Sequence, residues 1–149
     1  MEAALEKRLE FVIPSDFCEC REVQAQILEE VSRCHYDPEA AFAIKLALEE
    51  ALINAIKHGN HSDRAKTVSV VALITPRQTV ITVEDQGNGF DRSRVPDPTA
   101  DANLERLHGR GILLMEAYMD RVQFSHGGRR VRMVRKNRPG CPELARPAR

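Results

Sequence analysis

The sequence predicts an α/β (α+β) fold: a two-layer sandwich with a mixed, mainly antiparallel sheet covered on one face by helices. Three observations lead there. β-branched runs come in adjacent pairs, Thr67–Ile74 with Thr79–Glu84 and Arg121–Ser125 with Arg130–Val134. Two helical stretches with cap signals stand together between the first strand and the first of those pairs. The resulting order, β-α-α-β-β-loop-α-β-β, keeps strands beside strands in hairpins, so parallel pairing is the exception.

Each element has a local reason. Arg8–Ile13 alternates like a strand and ends at Pro14. Ser15 and Asp16 can cap a helix, and Val23, Ile27, Leu28 and Val31 then recur at helical spacing. Asp37-Pro38-Glu39 combines an N-cap, a proline at the first position and an acid in the first turn. That second helix carries Phe42, Leu46, Ile53 and Ile56 as its apolar positions and stops at Gly59-Asn60. Thr75–Gln78 is a short turn joining two strands into a hairpin. Asp85–Gly111 is a long loop rich in Gly, Pro, Asp and Arg, with one short helical turn near Leu104; loops of this length are uncommon unless functional. Ile112–Met119 is a third helix, and Gly127-Gly128 turns the chain between the last two strands. The expected organisation is one domain over residues 1–136, followed by a disordered, basic, Pro-rich tail over 137–149.

Composition narrows the function. The chain has 149 residues, 42% hydrophobic and 30% charged, which suits one globular domain. Its 22 basic and 22 acidic residues cancel, but unevenly: residues 1–128 hold 14 basic and 21 acidic, and residues 129–149 hold eight basic and only Glu143. The balance speaks against a uniformly basic nucleic-acid binder, though not against a local basic contact, and no direct nucleic-acid partner is expected. No apolar run is long enough to span a membrane, and the first residues lack an apolar signal core. Cys18-Glu-Cys20 is too tight for a zinc knuckle, and Cys34 and Cys141 supply no second pair, so reduced thiols in the cytoplasm are expected.

Three short motifs could carry chemistry. Glu50, Asn54 and His58 stand four residues apart on the second helix and share one face, drifting by about 40° per step. They form a polar stripe in an otherwise apolar helix. A buried carboxylate and carboxamide there need a partner, and a metal ion with phosphates would supply one; a solvated helix face is the alternative. Asp85-Gln-Gly87-Asn-Gly89 follows the hairpin, placing a carboxylate at the sheet's end beside glycines that permit close approach. His108-Gly109-Arg110-Gly111-Ile112 opens the third helix, where exposed N–H groups and the helix dipole favour phosphate. It is neither a Walker A loop nor a Rossmann fingerprint.

Taken in this order, the three motifs resemble the boxes of the GHKL superfamily, whose nucleotide-binding domain is the Bergerat or histidine-kinase-like ATPase fold. Glu50-x-x-x-Asn54 resembles its N-box, Asp85-x-Gly87-x-Gly89 its G1 box and Gly109-x-Gly111 its G2 box. With so few residues ahead of the first strand, and with Glu-Ala-Leu-Ile-Asn-Ala-Ile-Lys-His-Gly in the helix, the chain is similar to the small anti-sigma factor serine/threonine kinases of bacterial partner switching. The resemblance implies ATP and Mg²⁺ as ligands. It implies Asn54 on Mg²⁺, Asp85 on the adenine amine, and Gly87 and Gly89 beside base and ribose. Gly109, Arg110, Gly111 and Ile112 would lie at the phosphates, with Arg106 as a lid arginine; Lys57 and His58 lie near the same phosphates, although Lys57 and Arg106 read equally well as surface charges. It implies Glu50 as catalytic base toward a serine or threonine of a STAS-type anti-anti-sigma partner, with a sigma factor as second partner, a homodimer and no membrane. One departure stands out: the Gly-Thr step that the family often has before its last strand is Gly127-Gly128-Arg129 here, without Thr. The competing readings are a nucleotide sensor that transfers no phosphate, an ATPase using water, and a stand-alone histidine-kinase-like catalytic domain.

Overall fold

The structure, a computed structural model, describes residues 6–87 and 107–138 and, for residues 107–112, the backbone alone. Strand β1 (Lys7–Pro14) is followed by helices α1 (Phe17–Arg33) and α2 (Pro38–Ile53), and α2 runs on as a π-helical segment, Asn54–Gly59. The hairpin β2 (Thr67–Ile74) and β3 (Gln78–Glu84) comes next, then α3 (Leu107–Tyr118), β4 (Arg121–Ser125) and β5 (Arg130–Lys136). The five strands form one sheet in the order β1-β2-β3-β5-β4, and each of its ladders is antiparallel. β3 and β4 both oppose β5, so they run parallel to each other with β5 between them. Such a pair cannot be closed by a hairpin, which is why a long connection containing α3 separates them.

Sequence and local structure agree at the caps. Asp16 accepts from the Cys18 N–H at 2.9 Å and Asp37 from the Ala40 N–H at 2.7 Å. Each satisfies a helix N–H that has no partner inside its helix. In the hairpin turn, the Thr75 hydroxyl accepts from the N–H groups of Arg77 and Gln78, both at 3.1 Å. At the other turn, Gly127 and Gly128 take φ of 68° and 94°, values that favour glycine.

The core lies between one sheet face and the helices. β2 alternates strictly, burying Val68, Val70, Ala72 and Ile74. Ile81 and Val83 of β3 and Val131 and Met133 of β5 continue the same face, which packs on Ile27, Val31, Ile44, Leu48, Leu52, Ile56 and Met115. Four alanines of α2, at 40, 43, 47 and 51, are buried and let its neighbours approach closely. Phe42 does not join them. It is 54% exposed and meets the Tyr118 ring edge-on at 6.4 Å. The buried stripe of α2 runs through Ala40, Ile44, Ala47, Leu48, Ala51 and Leu52, one position round from the expected one.

The ordered chain also passes the boundary expected at 136. Asn137 is buried, with its N–H donating to the Arg77 carbonyl at 2.8 Å and its Nδ2 to the Pro76 carbonyl at 3.0 Å. Arg138 pairs with Asp120 at 2.6 Å. The tail over 139–149 and the loop over 88–106 lie outside the described residues. No helix among the described residues is long and apolar enough to cross a membrane.

Ile81, fully buried at the sheet's centre, is a direct test of which face is the core. Ile81→Ala should lower the urea-unfolding free energy by about 2–5 kcal/mol. A loss below about 0.5 kcal/mol, typical of surface positions, would place the core elsewhere.

Candidate functional site

Helix α2 does not remain α-helical to Gly59. From Asn54 the turn widens, and the Asn60 N–H donates to the Ala55 carbonyl, five residues back, at 2.8 Å. A wider turn advances less per residue than an α-turn. A four-residue step therefore falls short of a full turn after Asn54, where it overshoots before it. The drift expected along Glu50, Asn54 and His58 is thus partly reversed, and the polar stripe stays on one side. All three are half-buried, whereas Glu49 and Lys57 are exposed. π segments of this kind are frequent at functional sites.

The looser ladder is compensated at its end. Asn60 has no exposed surface, and its Nδ2 donates to the Ser15 hydroxyl and the Thr67 carbonyl, both at 3.0 Å. Its Oδ1 accepts from the Gln86 N–H at 2.8 Å. Each such bond contributes about 0.5–1.5 kcal/mol net. His61 and Ser62, with φ of 52° and 59°, then reverse the chain toward β2.

Asp85 leaves β3 at the same end of the sheet. Its N–H donates to the Arg129 carbonyl at 3.0 Å, extending the β3–β5 ladder by one bond. The residue is 8% exposed, and its Oδ1 accepts from the Gly87 N–H at 2.8 Å. Burial pushes its carboxyl above the ordinary carboxylate value, and the Glu84 charge adds to this. The Gly87 N–H, Arg129 and Lys66 act in the opposite direction. Around it the backbone is bare by necessity. A Cβ on Gly59 would overlap the Asp85 carboxylate, and a Cβ on Gly87 would overlap the Gly59 carbonyl. Gly59, Asp85 and Gly87 thus form one notch, and two motifs far apart in sequence meet in it.

Glu50 is the other carboxylate of interest. Its carboxyl is also held above the usual range, first by burial and second by the neighbouring Glu49 charge. A half-buried carboxylate of raised basicity can receive a proton more readily than a surface one. Asn54, one turn on, offers a hard amide oxygen of the kind Mg²⁺ takes alongside phosphates and water. Among the described residues no group of three or more His, Cys, Asp or Glu is placed to hold a metal by itself. A half-buried amide beside a carboxylate is a fitting contact for an ion bound chiefly through a ligand's phosphates.

The third motif is only partly described. α3 begins at Leu107, so Gly109, Arg110, Gly111 and Ile112 lie in its first turns rather than ahead of it. Two glycines, each about 1 kcal/mol poorer than Ala in a helix, read as loop by propensity. Packing along α2 and the π segment carries the helix through them. Gly89 and Arg106 lie outside the described residues, as do the side chains of Arg110 and Ile112. Sequence reasoning missed Asn60, read only as a helix stop, together with its partners Ser15, Thr67 and Gln86. The one available signal was an amide next to a glycine at the end of the polar stripe.

Two substitutions test the notch without any ligand. In an ordinary helix Gly→Ala is stabilising by about 1 kcal/mol. Gly59→Ala should instead destabilise by about 1–3 kcal/mol, because the Asp85 carboxylate is held by Gly87 and cannot give way; a stabilised variant in urea unfolding would refute the contact. For Asp85 the raised pKa means that the native state favours the protonated form. Its contribution to stability is therefore present below the unfolded value of 3.8 and lost as pH rises through the higher folded value. Asp85→Asn removes the buried charge and keeps an oxygen for the Gly87 N–H. Its melting temperature at pH 7 should exceed that of the parent, with the gain fading toward pH 3; equal melting at both pH values would contradict the burial argument.

The chain is similar to known proteins over most of its length. The model of the histidine kinase-like ATPase domain matches residues 13–135. An anti-sigma F factor of Clostridium perfringens strain SM101 is 34% identical over 137 residues, covering 88% of this chain and 94% of that protein. The serine-protein kinase RsbW of Listeria monocytogenes serovar 1/2a is 31% identical over 99 residues, covering 62% of this chain and 63% of that one. Among solved structures, the RsbU and RsbW domains of a Mycobacterium tuberculosis protein match with a TM-score of 0.61 at 19% identity, covering 89% of this chain and 32% of that longer one, a likeness of fold. The chain belongs to the histidine kinase-like ATPase domain family.

Proposed function

We propose that this protein is an ATP- and Mg²⁺-dependent serine/threonine protein kinase that acts as an anti-sigma factor and phosphorylates a STAS-type anti-anti-sigma partner. One observation carries the reading. The half-buried base Glu50 and the Gly59–Asp85–Gly87 notch lie on segments that touch, so a nucleotide anchored at the notch can reach along the π segment toward Glu50. The names of its relatives, an anti-sigma F factor and a serine-protein kinase, point the same way.

In this reading Asp85 accepts a hydrogen bond from the adenine amine, and Gly87 and Gly89 leave room for base and ribose. Asn54 holds the metal, which when bound neutralises phosphate charge. Lys57, His58 and Arg106 approach the phosphates with the backbone of Gly109, Arg110, Gly111 and Ile112. Glu50 takes the proton from the partner's hydroxyl as its oxygen bonds to the γ-phosphorus. The bond from that phosphorus to the bridging oxygen breaks, and ADP leaves with the electron pair. Such a base contributes about 10²–10⁴-fold, with positioning and charge supplying most of the rest. A sigma factor as the second partner, a homodimer and a cytoplasmic location belong to the same proposal.

The test is transfer of label from γ-labelled ATP to a STAS protein of the same genome. Label on a serine or threonine of that protein is expected; Glu50→Gln should bind ATP normally and lose transfer by about 10²-fold or more. Because only ionised Glu50 accepts a proton, the rate should rise with pH through its raised pKa, and Glu49→Gln should move that acid limb downward. Free phosphate alone would assign an ATPase, and binding without turnover a sensor. Undiminished transfer by Glu50→Gln would remove Glu50 as the base.

A further inference from the structure

Asn60 lies in none of the three motifs, yet it closes a ring of hydrogen bonds beside the notch. Its Nδ2 donates to the Thr67 carbonyl at 3.0 Å, the Thr67 N–H donates to the Gln86 Oε1 at 2.7 Å, and the Gln86 N–H donates to the Asn60 Oδ1 at 2.8 Å. Asn60 follows Gly59 and Gln86 follows Asp85. The ring therefore clamps together the two segments whose Gly59 backbone and Asp85 carboxylate are in contact. The second Nδ2 bond, to Ser15, ties the ring to the end of β1.

We propose that Asn60 is a positioning residue that sets the preference of this site for adenine over guanine nucleotides, by holding Asp85 immobile against Gly59. The inference rests on the nucleotide-binding reading above. Adenine presents an amine donor where guanine presents a carbonyl acceptor. A fixed carboxylate accepts from the first and repels the second. A carboxylate free to shift loses the bond to adenine and also escapes the repulsion from guanine. Loosening the ring therefore changes the ratio of the two affinities, whereas a loss of folded protein lowers both alike.

The experiment is calorimetric titration of Mg-ATP and Mg-GTP into the full chain and three variants, at a temperature where circular dichroism shows each folded. The parent should prefer ATP. Asn60→Ala should cut that preference about tenfold, the scale of one directed hydrogen bond to a charged group. Gln86→Ala, at an exposed position, keeps its backbone N–H and should cut it about threefold; it carries the test where Asn60→Ala does not fold. Tyr36→Phe is the control. It removes a buried hydroxyl bonded to the Thr75 carbonyl and Thr79, at the opposite end of β3. It should lower the melting temperature and leave the preference unchanged. An ATP preference that survives both Asn60→Ala and Gln86→Ala overturns this proposal alone. A parent chain that binds neither nucleotide overturns the nucleotide reading, and this proposal with it.

Discussion

The site depends on one buried carboxamide. Asn60 uses both of its donors and one acceptor site on three separate segments: the end of β1, the start of β2 and the residue after Asp85. Its own N–H closes the π turn that ends the second helix. Apolar packing brings the helices onto the sheet but is non-directional, so it tolerates small slides of one layer over the other. Hydrogen bonds at 2.8–3.0 Å do not. An amide buried without partners would cost several kcal/mol, so the network favours a fully formed end of the sheet over a partly formed one.

That rigidity lets the fold hold two carboxylates where water would otherwise solvate them. Burial dominates the shift at both Asp85 and Glu50, and it acts in the same direction. Their surroundings differ. Asp85 is opposed by a backbone N–H and two cations, which favour its ionised form as a fixed acceptor. Glu50, among the described residues, has the like charge of Glu49 beside it, which raises its proton affinity. Two carboxylates with different environments fit the two different tasks that the proposed function gives them, recognition and proton transfer. The free energy each costs the unliganded fold is offset by the apolar core beneath them.

Much of this was legible in the sequence. Asp16 and Asp37 have the residue types and positions that caps require, and β2 alternates with a period of two, so elements and order follow from local chemistry. The expectation that Glu50 and Asp85 serve one site followed from family resemblance and not from spacing; in the fold it is Gly59, at the end of the same helical run, that meets Asp85. Three features were not legible. The π segment has no sequence signature in Asn-Ala-Ile-Lys-His-Gly, because the Asn60 side chain that anchors its end takes one of its partners 26 residues away, at Gln86. The exposure of Phe42 depends on which side of α2 faces α3, and periodicity alone leaves that phase loose by one position. The run of basic residues from 129 onward is visible in the sequence only as a count, eight basic against one acidic over 129–149. In the fold, Arg130 pairs with Glu84, Arg138 with Asp120, and Arg135 donates to the Tyr118 carbonyl. Residue counting cannot see those partners, so it overstates the field that this strand offers to an acidic surface.

The same strand bears on the missing threonine. A Gly-Thr step could contribute a hydroxyl near the nucleotide, and Gly127-Gly128-Arg129 has none. What this stretch supplies is backbone. The Arg129 carbonyl receives the Asp85 N–H, and the Glu84–Arg130 pair, facing each other in register, locks β5 to β3 immediately before that bond. A carbonyl does this whatever side chain it carries, so the position can lose its hydroxyl without releasing Asp85. The Arg129 charge then adds something a threonine would not: it acts on the Asp85 carboxyl against the effect of burial, favouring the ionised form. The departure from the family pattern therefore leaves the backbone anchor of Asp85 in place and sets a cation near its carboxylate.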